Sequence, residues 1–120
     1  MGRDTQTTTQ RREALEEELR RIVGILIERY QPEKIILFGS LASGRIHEWS
    51  DIDLLIIKKT KTKRLYRRAQ ALRGIKRNVP IDVIIITPSE VKFLSQEGSL
   101  LIKDILEKGS VLYEREKSLV

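Results

Sequence analysis

The spacing of apolar residues divides the N-terminal part of the chain into a polar segment and a helix. From Gln10 to Tyr30, apolar side chains recur at helical intervals and charged residues fill the other face, which predicts a long amphipathic helix. The residue before a proline disfavours the helical conformation, so we expect the helix to end at Gln31, before Pro32. Residues 1–9 are polar, and we expect them to be disordered.

Three apolar runs predict buried strands. They cover Lys34–Phe38, Ile52–Ile57 and Ile81–Ile86. Between the second and third runs, residues 61–77 carry apolar side chains along one side, which predicts a helix. Because a connection that contains one helix favours a parallel, right-handed crossover, we expect the second and third strands to be parallel.

The C-terminal third begins with a clear helix start. Thr87-Pro88-Ser89-Glu90 combines a threonine N-cap, a proline at the first helical position and the glutamate of a capping box. A final helix is expected over about Glu97–Lys108, with Gly109 as its C-terminal stop. Val111–Tyr113 can add a short edge strand.

Two acidic residues lie at the start of the second strand. Strand side chains alternate between faces, so Asp51 and Asp53 point the same way while Ile52 points into the core. Two neighbouring carboxylates repel each other and need a compensating cation. Oxygen ligands of this kind suit a hard divalent ion such as magnesium.

A glycine-serine turn and a third acid complete the candidate site. Gly39-Ser40 follows the first strand as a tight turn whose backbone N–H groups and hydroxyl suit phosphate. For this turn to lie near Asp51, the first strand must run antiparallel to the second. Asp82 lies near the start of the third strand, so parallel pairing would bring it to Asp53. The sequence therefore predicts one α/β domain over residues 1–120, a small mixed β-sheet flanked by helices.

Composition narrows the class of protein. At 120 residues the chain has the length of one domain with a modest core. It has no cysteine, which excludes disulfides and thiolate metal sites. No apolar run approaches the roughly 20 residues that a membrane span requires, and the first residues lack the apolar core of a signal peptide. We therefore expect a cytoplasmic protein with no membrane contact.

The net charge of +6 comes from one segment. Residues 58–77 contain ten Lys/Arg and no acid, which leaves 13 basic against 17 acidic residues elsewhere. This segment is a solvated face, a platform for an acidic partner or a contact for RNA phosphates. Tyr66 is its only aromatic residue, which argues against sequence-specific RNA binding. Trp49 either closes its loop over the core or stacks on a base. Exposed apolar residues on the first or last helix would mark an oligomer or partner surface.

The spacing of these motifs resembles a known family. Gly39-Ser40, ten residues, Asp51-x-Asp53 and then Asp82 is similar to the pattern of the DNA polymerase beta-type nucleotidyltransferase superfamily. Its minimal nucleotidyltransferase members, often antitoxins paired with a HEPN-type partner, look most like this chain. The resemblance covers about residues 10–113 and implies the nucleotidyltransferase fold.

The resemblance also implies roles for the acids. In this family two magnesium ions sit on three carboxylates, and the nucleoside triphosphate is attacked at its alpha phosphorus. By position, Asp51 and Asp53 would hold both ions. Asp82 would hold the ion that activates the incoming hydroxyl, and it is also a candidate general base.

The phosphate contacts follow from the same resemblance, with one departure. Ser40 and the Gly39 backbone would bind the terminal phosphates. Many relatives have an arginine directly after Gly-Ser, whereas this chain has Leu41, so Arg45 is the candidate for the missing contact.

The expected function is magnesium-dependent transfer of AMP from ATP to a hydroxyl. By resemblance, the acceptor is a tyrosine of a HEPN-type toxin, and the chain is the antitoxin of a toxin–antitoxin pair that acts by AMPylation. Three alternatives remain open. They are transfer to RNA or to a small molecule, a non-catalytic nucleotide-binding module that sequesters its partner, and a basic RNA-binding protein with incidental acids.

Overall fold

The computed structural model describes residues 2–47 and 50–115, with side chains from Thr8 onward. Trp49 lies outside the described residues, so its two interpretations stay open. Helix α1 continues into a short π-helical segment, Leu26–Tyr30. In chain order the elements are α1 (Gly2–Ile25), β1 (Lys34–Phe38), α2 (Gly39–Ser43), β2 (Ile52–Ile57), α3 (Arg64–Leu72), β3 (Ile81–Ile86), α4 (Pro88–Gln96), α5 (Leu100–Lys108) and β4 (Ser110–Glu114).

The sheet is mixed, as the motif spacing predicts. Its strands lie in the order β3-β2-β1-β4. Strand β2 is parallel to β3, and β1 is antiparallel to both β2 and β4. The β1–β2 pairing sets the Gly39-Ser40 turn beside the start of β2, because Phe38 lies opposite Asp53.

Both faces of the sheet are covered, which explains the continuous apolar runs of the strands. On one face, Ile52, Leu54 and Ile56 pack with α1 and α3 in the larger apolar cluster. On the other face, Leu55 and Ile57 pack with α5. Strand alternation therefore places apolar residues on both sides of β2 and β3, and within these two strands only Asp53 and Asp82 interrupt the pattern. No helix in the described part of the chain is long and apolar enough to cross a membrane.

The local start and stop signals of the C-terminal part are confirmed. The Glu90 amide donates to the Thr87 hydroxyl at 3.1 Å, and the Thr87 amide donates to Glu90 Oε1 at 2.8 Å, which completes the predicted capping box. Gly109 is the C-cap of α5, and the residues after it form the expected edge strand β4.

Four helix boundaries differ from the sequence prediction. Helix α1 begins at Gly2, eight residues before the predicted start at Gln10. Extending an existing helix adds a hydrogen bond for each residue fixed, without a new nucleation cost. The expected disorder of residues 1–9 stays a prediction. Helix α3 begins at Arg64, not Lys61. It ends at Leu72, not Arg77, because Gly74 turns the chain with a φ of 73°. Helix α5 begins at Leu100, after the Ser99 N-cap.

Candidate active site

The three aspartates lie together at one end of the β2–β3 pair. In the parallel register, Asp53 lies directly opposite Asp82. Asp51 immediately precedes β2; it and Asp53 are half-buried, whereas Asp82 is exposed. The amide of Ile52 donates to the Pro80 carbonyl at 3.1 Å, which fixes the strand starts against each other. The parallel crossover predicted from the sequence is therefore confirmed, and it brings Asp53 next to Asp82.

The charges of these carboxylates interact. Burial raises the pKa of Asp53 to about 6, with further contributions from the charges of Asp51 and Asp82 and a hydrogen bond with Asp51. The described residues contain no group of three His, Cys, Asp or Glu side chains already arranged to hold a metal ion. Asp51, Asp53 and Asp82 form a looser group of oxygen donors, in which the charges of Asp51 and Asp82 act on Asp53. Such a donor set fits a hard divalent cation that would draw the carboxylates together.

The Gly39 turn lies directly against this cluster. Gly39 has a φ of 77°, a left-handed conformation that side chains disfavour. A Cβ atom at this position would overlap Asp53 Oδ2 and lie 3.0 Å from Asp53 Cγ. Glycine is therefore required at position 39 for two reasons, which are the positive φ of the turn and the close approach of the backbone to the Asp53 carboxylate.

The residues after Gly39 stay available on the same turn. The Ser43 hydroxyl donates to the Ser40 carbonyl at 3.2 Å and accepts from the Arg45 amide at 3.3 Å, which holds the turn. Within the described part of the chain, neither the half-buried Ser40 hydroxyl nor the exposed Arg45 guanidinium forms a hydrogen bond or ion pair. Their predicted phosphate contacts therefore stay predictions.

Arg11 of α1 holds the backbone next to Asp51, and sequence reasoning missed it. Its guanidinium donates to the Ser50 carbonyl from Nε at 3.1 Å and from Nη2 at 2.5 Å. Ser50 is buried, and its hydroxyl accepts from the His47 amide at 2.9 Å. In the sequence Arg11 is one of many charged residues on a helix face, so no local signal marks it.

A cavity of about 310 Å³ lies between α2 and α5, next to the Gly39 turn. Lys108 and Asp104 of α5 pair at 3.0 Å on its wall. Its other lining residues are Phe38, Gly39, Ala42, Ser43, Leu101, Ile105 and Gly109. The cavity therefore opens beside the turn that the sequence predicts to bind phosphate.

A mixed sheet with paired acids at the start of two parallel strands and a glycine turn beside them defines a nucleotidyltransferase-type domain. Residues 20–118 match the family model described as polymerase beta, nucleotidyltransferase. The chain therefore belongs to this nucleotidyltransferase family, which confirms the resemblance stated from its motifs.

One curated relative agrees with this assignment, and one solved structure shares the fold. A protein of Methanocaldococcus jannaschii named "Putative protein adenylyltransferase" is 36% identical over 88 residues, which are 68% of this chain and 58% of that protein. The match thus spans less than two thirds of the relative. A crystal structure from Sulfolobus solfataricus, titled as a "putative nucleotidyltransferase", has a TM-score of 0.66 at 23% identity and covers 95% of this chain and 93% of that chain. The structural likeness shows the fold.

Proposed function

We propose that this chain transfers AMP from ATP to a hydroxyl of a protein acceptor in a magnesium-dependent reaction. The observation that carries the proposal is the pairing of Asp53 with Asp82 beside Asp51, with the Asp53 pKa raised to about 6 by burial and by both neighbours. Groups whose pKa values are displaced by burial and specific charges, in an open cluster, are typical of functional sites.

Each residue has a role in this reaction. Asp51 and Asp53 would hold the magnesium ions, which when bound supply charge stabilisation for the attacking and leaving oxygens. Asp82, the exposed member of the cluster, would complete the ligand set and accept the proton of the acceptor hydroxyl. The acceptor oxygen forms the new bond to the alpha phosphorus, and pyrophosphate leaves.

The Gly39 turn and the cavity beside it would hold the rest of the nucleotide. The Gly39 and Ser40 amides and the Ser40 hydroxyl would bind the terminal phosphates, with Arg45 as a further cation. The cavity between α2 and α5 would receive the base or the ribose, since its volume of about 310 Å³ is sufficient for either group. The residues that line this cavity do not specify adenine, so the choice of ATP as the nucleotide rests on the family resemblance.

The proposed acceptor is a tyrosine of a HEPN-type toxin, in an antitoxin role. Two observations support a protein acceptor: the family resemblance, and the name of the curated relative as a protein adenylyltransferase. A chain that carries its carboxylates in an open cluster leaves room for a large acceptor.

The test is ATP binding and label transfer by the whole chain. Titration with ATP is expected to give binding only with magnesium, and α-labelled ATP is expected to label a HEPN-type protein expressed with the chain. The Asp51→Asn/Asp53→Asn variant is expected to lose transfer at least a hundredfold. Glu13→Gln/Glu28→Gln, which removes two exposed carboxylates of the N-terminal helix, is the matched control.

Three outcomes would contradict parts of this proposal. Labelling of RNA without labelling of protein would mean that the acceptor is RNA and not a protein. An aspartate variant that still protects cells from the toxin would favour sequestration without catalysis. Absence of magnesium-dependent ATP binding would exclude the transferase activity itself.

A further inference from the structure

A groove runs along the outer edge of β3, next to the proposed nucleotide site, and shares only Leu101 with the lining of the cavity between α2 and α5. It encloses about 390 Å³. Its floor is residues 83–86 of β3, one wall is α3, and the other is formed by α4, α5 and Ser99 between them. The remaining lining residues are Arg64, Arg67 and Arg68 on α3, and Leu94, Leu101 and Ile102 on α4 and α5. We call these residues the β3 groove.

Exposed apolar side chains flank the β3 groove on both sides. On α3, Leu65 is 82% exposed and Tyr66 is 58% exposed. On α5, Leu100 is 81% exposed and Leu101 is 55% exposed. Shallow depressions next to the groove share Arg68 and Leu101 with it, so these residues belong to one continuous surface. Apolar side chains together with arginine are typical of the centre of a protein–protein interface.

Arginines of α3 already occupy the backbone edge of β3. Arg67 donates to the Ile85 carbonyl at 3.3 Å, and Arg68 donates to the Ile81 carbonyl at 2.9 Å. Because these guanidiniums occupy two of the outward-facing carbonyls of β3, a partner strand would have to displace them to extend the sheet. A polypeptide in the groove would therefore contact the lining side chains and would not add a strand to the sheet.

The positive charge of the α3 wall of the β3 groove favours an acidic ligand. Arg67 is buried and pairs with Glu90 at 2.6 Å. Although burial opposes ionisation, hydrogen bonds from Arg67 and the Thr87 backbone hold the pKa of Glu90 at about 2, so this pair stays ionised. Arg64 also pairs with Glu90, at 3.2 Å, so this one carboxylate faces two guanidiniums, and residues 58–77 contain no acid of their own. The surface therefore retains a positive field beside its apolar side chains.

The groove leads to the proposed acceptor side of the active site. Its floor residue Ile84 lies two positions after Asp82 on the same strand, so both side chains lie on the same face of β3. Asp82 is also the exposed acid of the cluster. A polypeptide in the groove would therefore continue toward Asp82.

We infer that the β3 groove docks the protein acceptor, as an acidic polypeptide segment with apolar side chains whose hydroxyl then reaches Asp82. This inference rests on the proposed function and adds a docking surface to it. A polypeptide is favoured over RNA because Leu65, Leu100 and Leu101 cannot stack on bases as aromatic side chains do.

The experiment uses two random copolymers of opposite charge as probes. Fluorescently labelled poly(Glu,Tyr) is expected to bind the whole chain in the absence of ATP, with an affinity that falls as salt increases, whereas poly(Lys,Tyr) does not bind. Leu65→Asp and Leu101→Asp are each expected to weaken poly(Glu,Tyr) binding about tenfold. Circular dichroism checks that each variant is folded, and Leu65 is exposed enough that its substitution leaves the core intact.

Val111→Asp is the matched control. Val111 is 52% exposed, close to the 55% of Leu101, but it lies on β4 at the opposite edge of the sheet. It is expected to bind poly(Glu,Tyr) like the unsubstituted chain. Equal weakening by Val111→Asp, or unchanged binding in Leu65→Asp, would overturn the groove assignment.

The remaining outcomes separate this inference from the proposed function. Magnesium-dependent ATP binding by Leu65→Asp with reduced labelling of poly(Glu,Tyr) supports both. Labelling that is independent of the groove overturns only the docking site. Competition by poly(U), weakened by the same substitutions, would assign the groove to RNA. A change in sedimentation of the variants without probe would assign it to a second copy of this chain.

Discussion

The two ends of one sheet face differ in what covers them. At one end, Leu55 and Ile57 pack under α5 with Ile102 and Ile105, and Leu55 is completely buried. At the other end, two residues earlier on β2, Asp53 lies beside the exposed Asp82. The same strand thus contributes apolar burial at one end and clustered carboxylates at the other. Helix α5 therefore stabilises the strand that carries the acids without covering the acids themselves.

The two ends contribute to stability with opposite sign. Apolar burial at the covered end favours folding. The Asp53 pKa of about 6, raised first by burial and then by neighbouring charge, means that ionising this group costs free energy in the metal-free protein. Four substitutions test this contrast.

The largest expected effect is at the covered end. Leu55→Ala removes a completely buried side chain and leaves a cavity under α5, so we expect the free energy of unfolding to fall by about 3 kcal/mol. Urea denaturation measures this change. Val111→Ala, on the exposed edge strand, is the control and is expected to change the stability little. Equal effects of the two substitutions would mean that α5 does not anchor β2.

Gly39→Ala is expected to cost about 2 kcal/mol. The alanine combines a disfavoured φ with overlap against the Asp53 carboxylate. Gly74→Ala separates these causes, since Gly74 has a φ of 73° but no atom within 4 Å of the position that a Cβ would take. Gly24→Ala, in the interior of α1 with open space around it, is expected to be stabilising. A Gly39 variant no less stable than the Gly74 variant would contradict the close approach to Asp53.

Local patterns in the sequence predict most of the fold. The apolar runs place β1, β2 and β3, and the capping box places the start of α4, because these features depend on neighbouring residues. The crossover rule then brings Asp53 to Asp82, because one helix joins their strands.

Contacts between distant segments could not be predicted in the same way. Arg11 reaches the Ser50 carbonyl across 39 positions of sequence, and Arg67 reaches the β3 edge from a helix whose sequence shows only general basic character. Which of several exposed-looking arginines becomes buried depends on how the helices pack. That packing leaves no period or spacing in the sequence.

The third substitution, at Asp53, is expected to increase the free energy of unfolding. Asp53→Asn removes the carboxyl whose folded pKa, about 6, lies above its ordinary value near 4. Because the folded state holds this proton more tightly, the unsubstituted metal-free protein loses stability from this group as pH rises from about 4 to about 6. After allowance for solvent screening, we expect Asp53→Asn to gain about 1.5 kcal/mol relative to the unsubstituted chain above pH 6.

Denaturation with urea across this pH range measures the gain. Adding magnesium is expected to stabilise the unsubstituted chain and to have little effect on Asp53→Asn, because the variant lacks one of the proposed ligands. Glu28→Gln, which removes an exposed carboxylate that forms no ion pair within the described residues, is the control for charge. Loss of stability in Asp53→Asn above pH 6 would show that repulsion within the cluster is already compensated.

The weakest effect is expected for Arg11, which binds the backbone next to Asp51. Arg11→Ala removes two hydrogen bonds to the buried Ser50 carbonyl, so we expect stability to fall by about 1 kcal/mol. Because Ser50 precedes Asp51, the larger consequence is expected in magnesium-dependent ATP binding, which titration measures. Arg20→Ala, at an exposed position of the same helix, should change neither property. A purely structural Arg11 would lower stability and leave ATP binding intact, which would separate α1 from the chemistry of the carboxylate cluster.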